Sequence, residues 1–545
     1  MVKKLLIFLS IFFVFLSFYP TLYEIQQAKN LPNERFFELV HNYVFDYNFY
    51  LSRIKEGQEG RWLVIEKYYN KPHHGSFFQI FYLYLGKIGG IFHQSNVVIY
   101  HVARVILGLI LLLLISKLVM NLFPNWWSVV SFLMIVTVGS WPILIKLGDG
   151  WRFASHWGGW SVIDSLQRIT FIPHVVFGQI FLVFFIWKFG LNPQKEKITS
   201  WFWWWNLGLL AGIIFPPAII IIYAIFVVLS LLEIIGNKSN KEFKSLILPR
   251  VVFIIFSLPA LLYLQIMFKI EPWKALSLFD IQHRSILPYS EYALALGPML
   301  PLGLVGLFLA LYKKEKKFYP FAAWIIALGF LFLVFEHIPQ QSPTRFTQML
   351  INIPLGILAT YLFHNLWQIR GRLTRLVRGI TVIMFIAVIL LGFSVMLSEL
   401  GWLTDQVRWK REGTWLYPVG AELVYPLKDF MNGVYFLKDN TRLEDIVLAY
   451  EAAGNYIPAY AGNFVYLGHA NTPDEDGKLL VANKFFSGKM IQAEAKGFLE
   501  RENIKYIYFG PQEKELSDLT DLSTVYKFIT ATYSNSRVII YKLSL

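Results

Sequence analysis

Hydrophobic runs of about twenty residues alternate with short polar and basic segments along the first 400 residues of this chain. A helix of about twenty apolar residues matches the roughly 30 Å hydrocarbon core of a bilayer. The runs predict eleven transmembrane helices, at residues 5–23, 97–122, 126–147, 171–190, two within 201–235, 250–268, 293–312, 319–336, 346–365 and 379–400.

The segment 201–235 is counted as two helices because a proline pair interrupts it. As one helix it would be about 50 Å long, which exceeds the roughly 30 Å of a bilayer core. Phe215 is followed by Pro216 and Pro217, and proline breaks the interior of a helix. This pattern predicts a hairpin of two short spans.

The chain changes character after residue 400, where no further long apolar run occurs. Short apolar stretches at 445–449, 463–467 and 505–509 predict strands, and 525–530 with 537–542 predicts a strand hairpin. Residues 427–439 and 488–502 have a helical pattern. The fold class is therefore a polytopic α-helical membrane protein of about eleven spans, residues 1–400, followed by a small α/β domain, residues 401–545.

Basic residues set the predicted topology. Lys3 and Lys4 precede the first span, and the other strongly basic loops fall on the same side when eleven spans are counted. We expect a multi-pass protein of the plasma membrane with a cytoplasmic N-terminus and an extracytoplasmic C-terminal domain. No small-x-small cleavage pattern follows the first run, so it is interpreted as a retained span. The net charge of +14 lies between the spans, which argues against nucleic acid as a partner.

The first predicted external loop, residues 24–96, holds the leading catalytic candidate. Asp46 lies there among aromatic side chains, which could desolvate its carboxylate and raise its basicity. Such a carboxylate can deprotonate an acceptor hydroxyl. The alternative is a helix cap or a salt bridge to Arg53.

Arginines at the predicted external surface are candidates for phosphate binding. Arg345 precedes the 346–365 span, and its planar guanidinium is suited to bidentate hydrogen bonding with a lipid phosphate. Arg168 and His174 flank the start of the 171–190 span and could join an anion site, and Arg284 lies in the loop before residue 291. The alternative for Arg345 is ordinary anchoring at the membrane interface.

His73 and His74 could bind substrate or, with Asp46 or Glu66, a metal. Adjacent side chains point in different directions, so this spacing fits a single ion poorly. The chain has no cysteine, no phosphate-binding glycine loop, no HExxH and no GxSxG sequence. We therefore expect no cofactor and no dedicated metal site, although a divalent ion stays an open alternative.

The chain resembles bacterial polytopic glycosyltransferases of the GT-C superfamily, such as protein O-mannosyltransferases and aminoarabinose transferases. The stretches that carry the resemblance are FDYNFYLSRIKEGQEGRW (45–62), IPHVVFGQI (172–180), LLAGIIFPPAII (209–220), SPTRFTQMLINIPLGILA (342–359), GNYIPAYAGNFVYLGHANTPDEDGK (454–478) and ENIKYIYFGP (502–511).

The resemblance implies a polyprenyl-phosphate sugar donor, a glycan, lipid or protein acceptor, and direct inverting transfer at the external face. It assigns Asp46 as the base and Arg345 as a contact to the donor phosphate. Many relatives carry two acidic residues where this chain has Asp46-Tyr47, which puts a metal requirement in doubt. The alternatives are a transporter or flippase of lipid-linked sugars and a non-catalytic scaffold that binds envelope glycan.

Overall fold

The structure is a computed structural model that describes residues 1–147, 150–158, 160–191, 198–236, 240–369, 374–413, 425–517 and 519–544. It divides into two compact units. Unit one comprises residues 1–20, 102–263 and 283–404, and unit two comprises residues 21–101, 264–282 and 405–545. Each unit is described by itself.

Long apolar helices dominate unit one. Its helices, four of which continue into or from unit two, are α1 (Val2–Gln27), α4 (Asn96–Leu122), α5 (Trp126–Thr137), α6 (Pro173–Phe185), α7 (Ile198–Ile214), α8 (Pro216–Gly236), α9 (Asn240–Met267), α11 (Tyr289–Ala295), α12 (Met299–Tyr312), α13 (Tyr319–Phe335), α14 (Asn352–Gln368) and α15 (Thr374–Glu412).

Seven helical segments of the described chain are long and apolar enough to cross a membrane, and the number is eight if the bent pair α11–α12 forms one span. The polytopic helical class is thus confirmed. The other three predicted spans correspond to α5, α7 and α14, which have 12, 17 and 17 residues. The count of eleven therefore stays a prediction.

The predicted break in the 201–235 segment is confirmed. Helix α7 ends at Ile214 and α8 begins at Pro216, with Phe215 between them. The Cβ of Ile219 lies 3.8 Å from the position that a Cβ on Gly212 would occupy, so the two helices are in contact beside the break.

The predicted helix 126–147 is wrong in its second half. Helix α5 ends at Thr137, and Pro142–Leu147 forms strand β1, which pairs antiparallel with β2 (Gly150–Ser155). The predicted helix 293–312 is also interrupted, because α11 and α12 meet at an angle of 87°. Gly297 at the bend has φ +59°, a left-handed conformation that glycine adopts without strain, and Pro298 follows it.

Unit two contains a five-stranded sheet with helices around it. Its elements are α2 (Val44–Gln58), α3 (Ile80–Ile91), α10 (Trp273–Gln282), α16 (Lys428–Asn440), β3 (Ile446–Leu448), α17 (Glu451–Tyr460), β4 (Phe464–Val465), α18 (Glu475–Phe486), α19 (Gln492–Arg501), β5 (Ile504–Phe509), α20 (Pro511–Glu515), β6 (Ile529–Ser534) and β7 (Ile539–Leu543).

The sheet order is β4-β3-β5-β7-β6. Strand β3 pairs parallel with β4 and β5, while β7 pairs antiparallel with β5 and β6. The small C-terminal α/β fold is thus confirmed. Helices α17 and α18 were not predicted, and the first strand of the hairpin is at 529–534 rather than 525–530.

The first predicted loop packs into the same core as the C-terminal residues. Val44, Phe49 and Tyr68 are buried together with Phe430 and Val447 in one apolar cluster. Residues 24–96 were predicted to belong with the membrane domain, whereas the structure places all of them in unit two with residues 405–545. Helix α2 is therefore held by the C-terminal fold.

Candidate functional site

Asp46 lies in the first turn of α2, two residues after the helix begins at Val44. An acidic residue there is favoured by the positive end of the helix dipole. More than half of the Asp46 side chain, 55%, is exposed. The expected shielding by aromatic rings is therefore not what the structure shows.

The alternative salt bridge from Asp46 to Arg53 is not formed. The fully buried Arg53 guanidinium lies 3.1 Å from Glu56 Oε1 and 2.6 Å from Glu66 Oε2. It also donates to the carbonyl of Ile65 at 2.9 Å. Asp46 is thus not part of this ion-pair cluster, which holds the C-terminal half of α2 against the chain that follows it.

His469 is the ionisable side chain that faces Asp46. Its Nε2 lies 3.8 Å from Asp46 Oδ1, and only 5% of its side chain is exposed. Its Nδ1 accepts a hydrogen bond from the backbone N–H of Asn471 at 3.1 Å, so the neutral ring carries its proton on Nε2, toward Asp46. The ring stacks on Phe49 with centroids 4.5 Å apart.

A close backbone contact fixes the position of His469. The chain at Gly454, in α17, approaches Gly468 so closely that a Cβ on Gly454 would lie 2.8 Å from the Gly468 Cα. Asn455, next to Gly454, accepts a hydrogen bond from Asn48 of α2 at 2.9 Å. The same helix α17 therefore holds both α2, which carries Asp46, and the segment that carries His469.

The surroundings of Asp46 are acidic. Burial raises the pKa of Tyr43, and the charges of Asp46 and Glu451 raise it further. Burial, followed by the charges of Glu451 and Asp476, raises the pKa of Glu475 to about 7. This negative potential favours ligand groups that carry positive charge and disfavours anionic groups beside Asp46.

His469 was missed by the sequence analysis, although the stretch 454–478 that contains it was quoted for the resemblance. No local motif marks it, because its partner Asp46 lies on a distant helix. The one local signal in the sequence is the glycine that precedes it, Gly468, and in the structure this residue has a φ of +155°.

His73 and His74 do not join Asp46 in a metal-binding arrangement. His73 Nε2 accepts from the Glu66 N–H at 2.9 Å, and Nδ1 donates to the Lys71 carbonyl at 2.8 Å, so both ring nitrogens are used. Burial is the main cause that lowers the pKa of His73. His74 is exposed. This geometry favours a structural role for His73, and substrate contacts of either residue stay predictions.

The described residues contain no group of three or more His, Cys, Asp or Glu side chains arranged to hold a metal ion. Asp46 and His469 would supply two ligands, which does not fit a dedicated divalent site.

Arg345 and Arg284 belong to adjoining segments of unit one. Arg345 lies in the 3₁₀ segment Pro343–Gln348, and its side chain is half-buried. The Ser285 N–H donates to Ser342 Oγ at 3.0 Å, and Arg284 donates to the carbonyl of Phe335. The structure thus brings together the two loops that carry these predicted phosphate contacts.

The segment that carries Arg345 is well anchored. Thr347 Oγ1 accepts from the indole N–H of Trp160 at 2.8 Å, and the carbonyl of Gln348 accepts from Gln179 of α6 at 2.8 Å. His174, in the first turn of α6, packs its ring against Phe215 with centroids 5.5 Å apart. A contact of His174 with substrate stays a prediction.

Arg168 caps the end of α5. Its buried guanidinium donates to the carbonyls of Ile135, Val136 and Val138 at 2.8, 3.0 and 3.0 Å. Cations and donors stabilise the carbonyl end of a helix. Burial lowers the pKa of Arg168 to about 10. The geometry favours a structural role, and its contact with an anionic substrate stays a prediction.

The fold is that of GT-C membrane glycosyltransferases. ArnT from Cupriavidus metallidurans, an aminoarabinose transferase solved bound to undecaprenyl phosphate, aligns over 99% of this chain and 97% of its own, at 11% identity and a TM-score of 0.52. Its apo state aligns over the same shares at 12% identity and a TM-score of 0.50. The fold implied by the resemblance is therefore confirmed.

The oligosaccharyltransferase AglB from Archaeoglobus fulgidus, solved with an inhibitory peptide and a dolichol-phosphate, aligns over 98% of this chain and 74% of its own, at 14% identity and a TM-score of 0.49. No family model and no curated protein matches the sequence.

Proposed function

We propose that this chain is a membrane glycosyltransferase that moves a sugar from a polyprenyl-phosphate-linked donor to an acceptor hydroxyl. The observation that carries the proposal is the exposed carboxylate of Asp46 facing the buried imidazole of His469, on a chain with the GT-C fold. A lipid phosphate as the donor carrier is consistent with the undecaprenyl phosphate bound to ArnT.

Asp46 acts as the general base in this proposal. The acceptor oxygen attacks the anomeric carbon from the face opposite the leaving group, its proton passes to Asp46, and the bond to the phosphate oxygen breaks. The configuration at the anomeric carbon is therefore inverted. Because polyprenyl phosphate is already a good leaving group, the protein has to orient the substrates and stabilise the departing phosphate.

His469 positions Asp46. Its Nε2 lies 3.8 Å from Oδ1, which is beyond hydrogen-bond distance, so in this proposal it acts on the carboxylate as a nearby polar group and not as a hydrogen-bond donor. The second carboxylate oxygen is left to the acceptor. Since the Asp46 side chain is 55% exposed, the substrates themselves would provide the desolvation that strengthens a base.

The donor phosphate is assigned to Arg345, with Arg284 from the adjoining loop as a second cation. Two guanidinium groups suit a phosphate monoanion or dianion because each offers parallel N–H donors. Arg168 is left out of this assignment because its donors serve α5. The reaction is placed at the extracytoplasmic face of the plasma membrane, with the N-terminus in the cytoplasm, on the basis of the charge pattern.

A transfer assay in proteoliposomes tests the proposal. The purified full-length protein is reconstituted with polyprenyl-phosphate sugars carrying a radiolabel, together with envelope lipid, glycan and protein fractions. We expect labelled sugar on one acceptor fraction and an equal amount of released polyprenyl phosphate, with inverted configuration. Movement of intact donor between leaflets without any product would support a flippase instead, and glycan binding without donor consumption would support a scaffold.

A further inference from the structure

Two lysine side chains of unit one lie over tryptophan rings, away from the residues assigned to the transferase reaction. Lys117 Nζ, in α4, is 4.1 Å from the ring centroid of Trp187. Lys188 follows Trp187 in the π-helical segment Ile186–Leu191. The Lys188 Nζ is 4.9 Å from the ring centroid of Trp204 in α7. An ammonium group within about 6 Å of an indole face is attracted to it, so both cations are held against aromatic rings.

Phe184 connects the two tryptophans into one surface. Its ring centroid is 6.2 Å from that of Trp187 and 5.4 Å from that of Trp204. Lys117 and Lys188 lie within electrostatic range of each other. Two like charges repel at such a distance, and an anion that contacts both relieves the repulsion. We call these five residues the lysine–tryptophan cluster.

Lys117 lies on the exposed face of α4. Ile106 and Ile110 on that helix are 51% and 44% exposed, and Lys117, seven residues after Ile110, is exposed as well. Residues at this spacing share one face of a helix, and because α4 is long and apolar enough to be a span, that face contacts lipid. Lys117 is five residues from the helix end at Leu122, about 7.5 Å along the axis. A cation at this depth is costly unless it extends to the headgroup region or meets an anion.

Apolar side chains continue the lipid-facing surface beside the cluster. Phe202 and Trp203, which precede Trp204 in α7, are 57% and 68% exposed. Helix α7 is apolar over Phe202–Ile214. Exposed tryptophan rings are typical of the boundary between acyl chains and headgroups. The cluster therefore lies where a lipid headgroup and its chains meet.

The chain around the cluster is positively charged. Residues 186–200 contain three lysines and one glutamate, and Lys117 adds one more positive charge. Lys117 and Lys188 are near helix ends on the predicted cytoplasmic side, where the inner leaflet presents anionic headgroups. Basic pockets between spans on this side bind such headgroups. Charge complementarity therefore favours an anionic lipid over a zwitterionic one.

We propose that the lysine–tryptophan cluster binds one anionic phospholipid of the inner leaflet through its phosphate. The ammonium groups of Lys117 and Lys188 donate to the phosphate oxygens, and the rings of Trp187 and Trp204 pack against the glycerol backbone. The acyl chains run along the exposed face of α4 that carries Ile110. A free phosphate ion is disfavoured because Lys117 belongs to a lipid-facing surface. On the predicted topology this site is at the opposite end of the spans from sugar transfer, so it is independent of the proposed function.

Thermal unfolding of the full-length protein in a neutral maltoside detergent tests the site. The midpoint is followed by circular dichroism during titration with phosphatidylglycerol, with phosphatidylcholine of the same acyl chains, or with glycerol 3-phosphate as a soluble headgroup. A ligand that binds only the folded state raises the midpoint in a saturable way. We expect this rise with phosphatidylglycerol alone, and native mass spectrometry should show one such lipid retained per protein chain.

Lys117→Gln and Lys188→Gln each remove one cation from a side chain that is not fully buried, so both variants should fold. We expect each to need a several-fold higher phosphatidylglycerol concentration for the same rise, and the double variant to lose the rise. Lys117→Arg should keep the response because the charge stays. Lys313→Gln is the matched control, since Lys313 follows α12 on the same predicted side and donates to Asn365 at 2.6 Å, outside the cluster. It should respond like the wild type.

Three outcomes would overturn the proposal. The first is no rise with phosphatidylglycerol, or an equal rise with phosphatidylcholine, which would show a general effect of lipid. The second is a phosphatidylglycerol response that Lys313→Gln reduces as much as Lys188→Gln does, which would show an unspecific effect of surface charge. The third is the same response to glycerol 3-phosphate at equal concentration, which would assign the site to a soluble phosphate.

Discussion

Replacing Gly454 by alanine should destabilise the protein and displace His469. A Cβ on Gly454 would lie 2.2 Å from the carbonyl oxygen of Leu467, whereas ordinary contact begins at 3.4 Å. The two backbone segments would have to separate by about 1.2 Å, and no side-chain rotation can relieve a clash with backbone atoms. Overpacking of this kind costs about 1–3 kcal/mol.

The unfolding midpoint and the transfer rate of the purified variant are the measurements. We expect a lower unfolding midpoint. We also expect the transfer rate to fall by a larger factor than the fraction of folded protein does, because the Asp46–His469 distance changes. Gly497→Ala is the matched control, since nothing lies within 4 Å of a Cβ at that position in α19. That variant should gain about 0.5–1 kcal/mol from the better helix propensity of alanine. A Gly454→Ala protein as stable and active as the wild type would refute the reasoning.

Three further predictions concern other parts of the chain. Arg345→Lys keeps the charge but loses the bidentate donor, so the KM for the lipid donor should rise while the unfolding midpoint stays the same. Arg168→Lys should lower the unfolding midpoint and leave the KM unchanged. Unchanged donor affinity in Arg345→Ala would reject the assignment of Arg345 to the donor phosphate. The pKa of His73 is lower in the folded state, so the unfolded state binds a proton at higher pH and the free energy of unfolding should fall as pH drops below about 6.5. His73→Gln should weaken this pH dependence when the free energy of unfolding is measured by chemical denaturation across the same pH range. Leu480→Cys, exposed in a cysteine-free chain, should react with an impermeant thiol reagent on intact cells; labelling only after permeabilisation would contradict the external C-terminal domain.

Much of the helical architecture could be predicted from local patterns. Long apolar runs have a physical reason to be helices, and the prolines after Phe215 break the chain whatever surrounds them. The strand Pro142–Leu147 was not predicted, although Gly139, Ser140 and Pro142 interrupt the apolar run after α5 and are signals of a helix break. What makes it a strand is its pairing with Gly150–Ser155, a tertiary interaction that a hydropathy pattern does not contain.

The candidate site shows the same division. Asp46 could be found because a carboxylate in an aromatic loop is locally unusual. His469 could not, because its proximity to Asp46 depends on the contact between Gly454 and Gly468. Arg168 shows the converse: its charge and position suggested an anion site, which stays a prediction, whereas its contacts with the carbonyls that end α5 could not be read from the sequence.

The most direct measurement compares the transfer turnover of Asp46→Asn with that of Glu494→Gln. Glu494 is a matched control because it also lies two residues after its helix begins, and 44% of its side chain is exposed. Loss of a charge at either position should cost at most about 1 kcal/mol of stability through the helix dipole. If Asp46 is the base, Asp46→Asn lowers kcat about 10²–10⁴-fold with wild-type folding and donor binding, while Glu494→Gln keeps its kcat. If Asp46→Asn retains activity in proportion to its folded fraction, as Glu494→Gln does, Asp46 is not the base and the proposed mechanism is wrong.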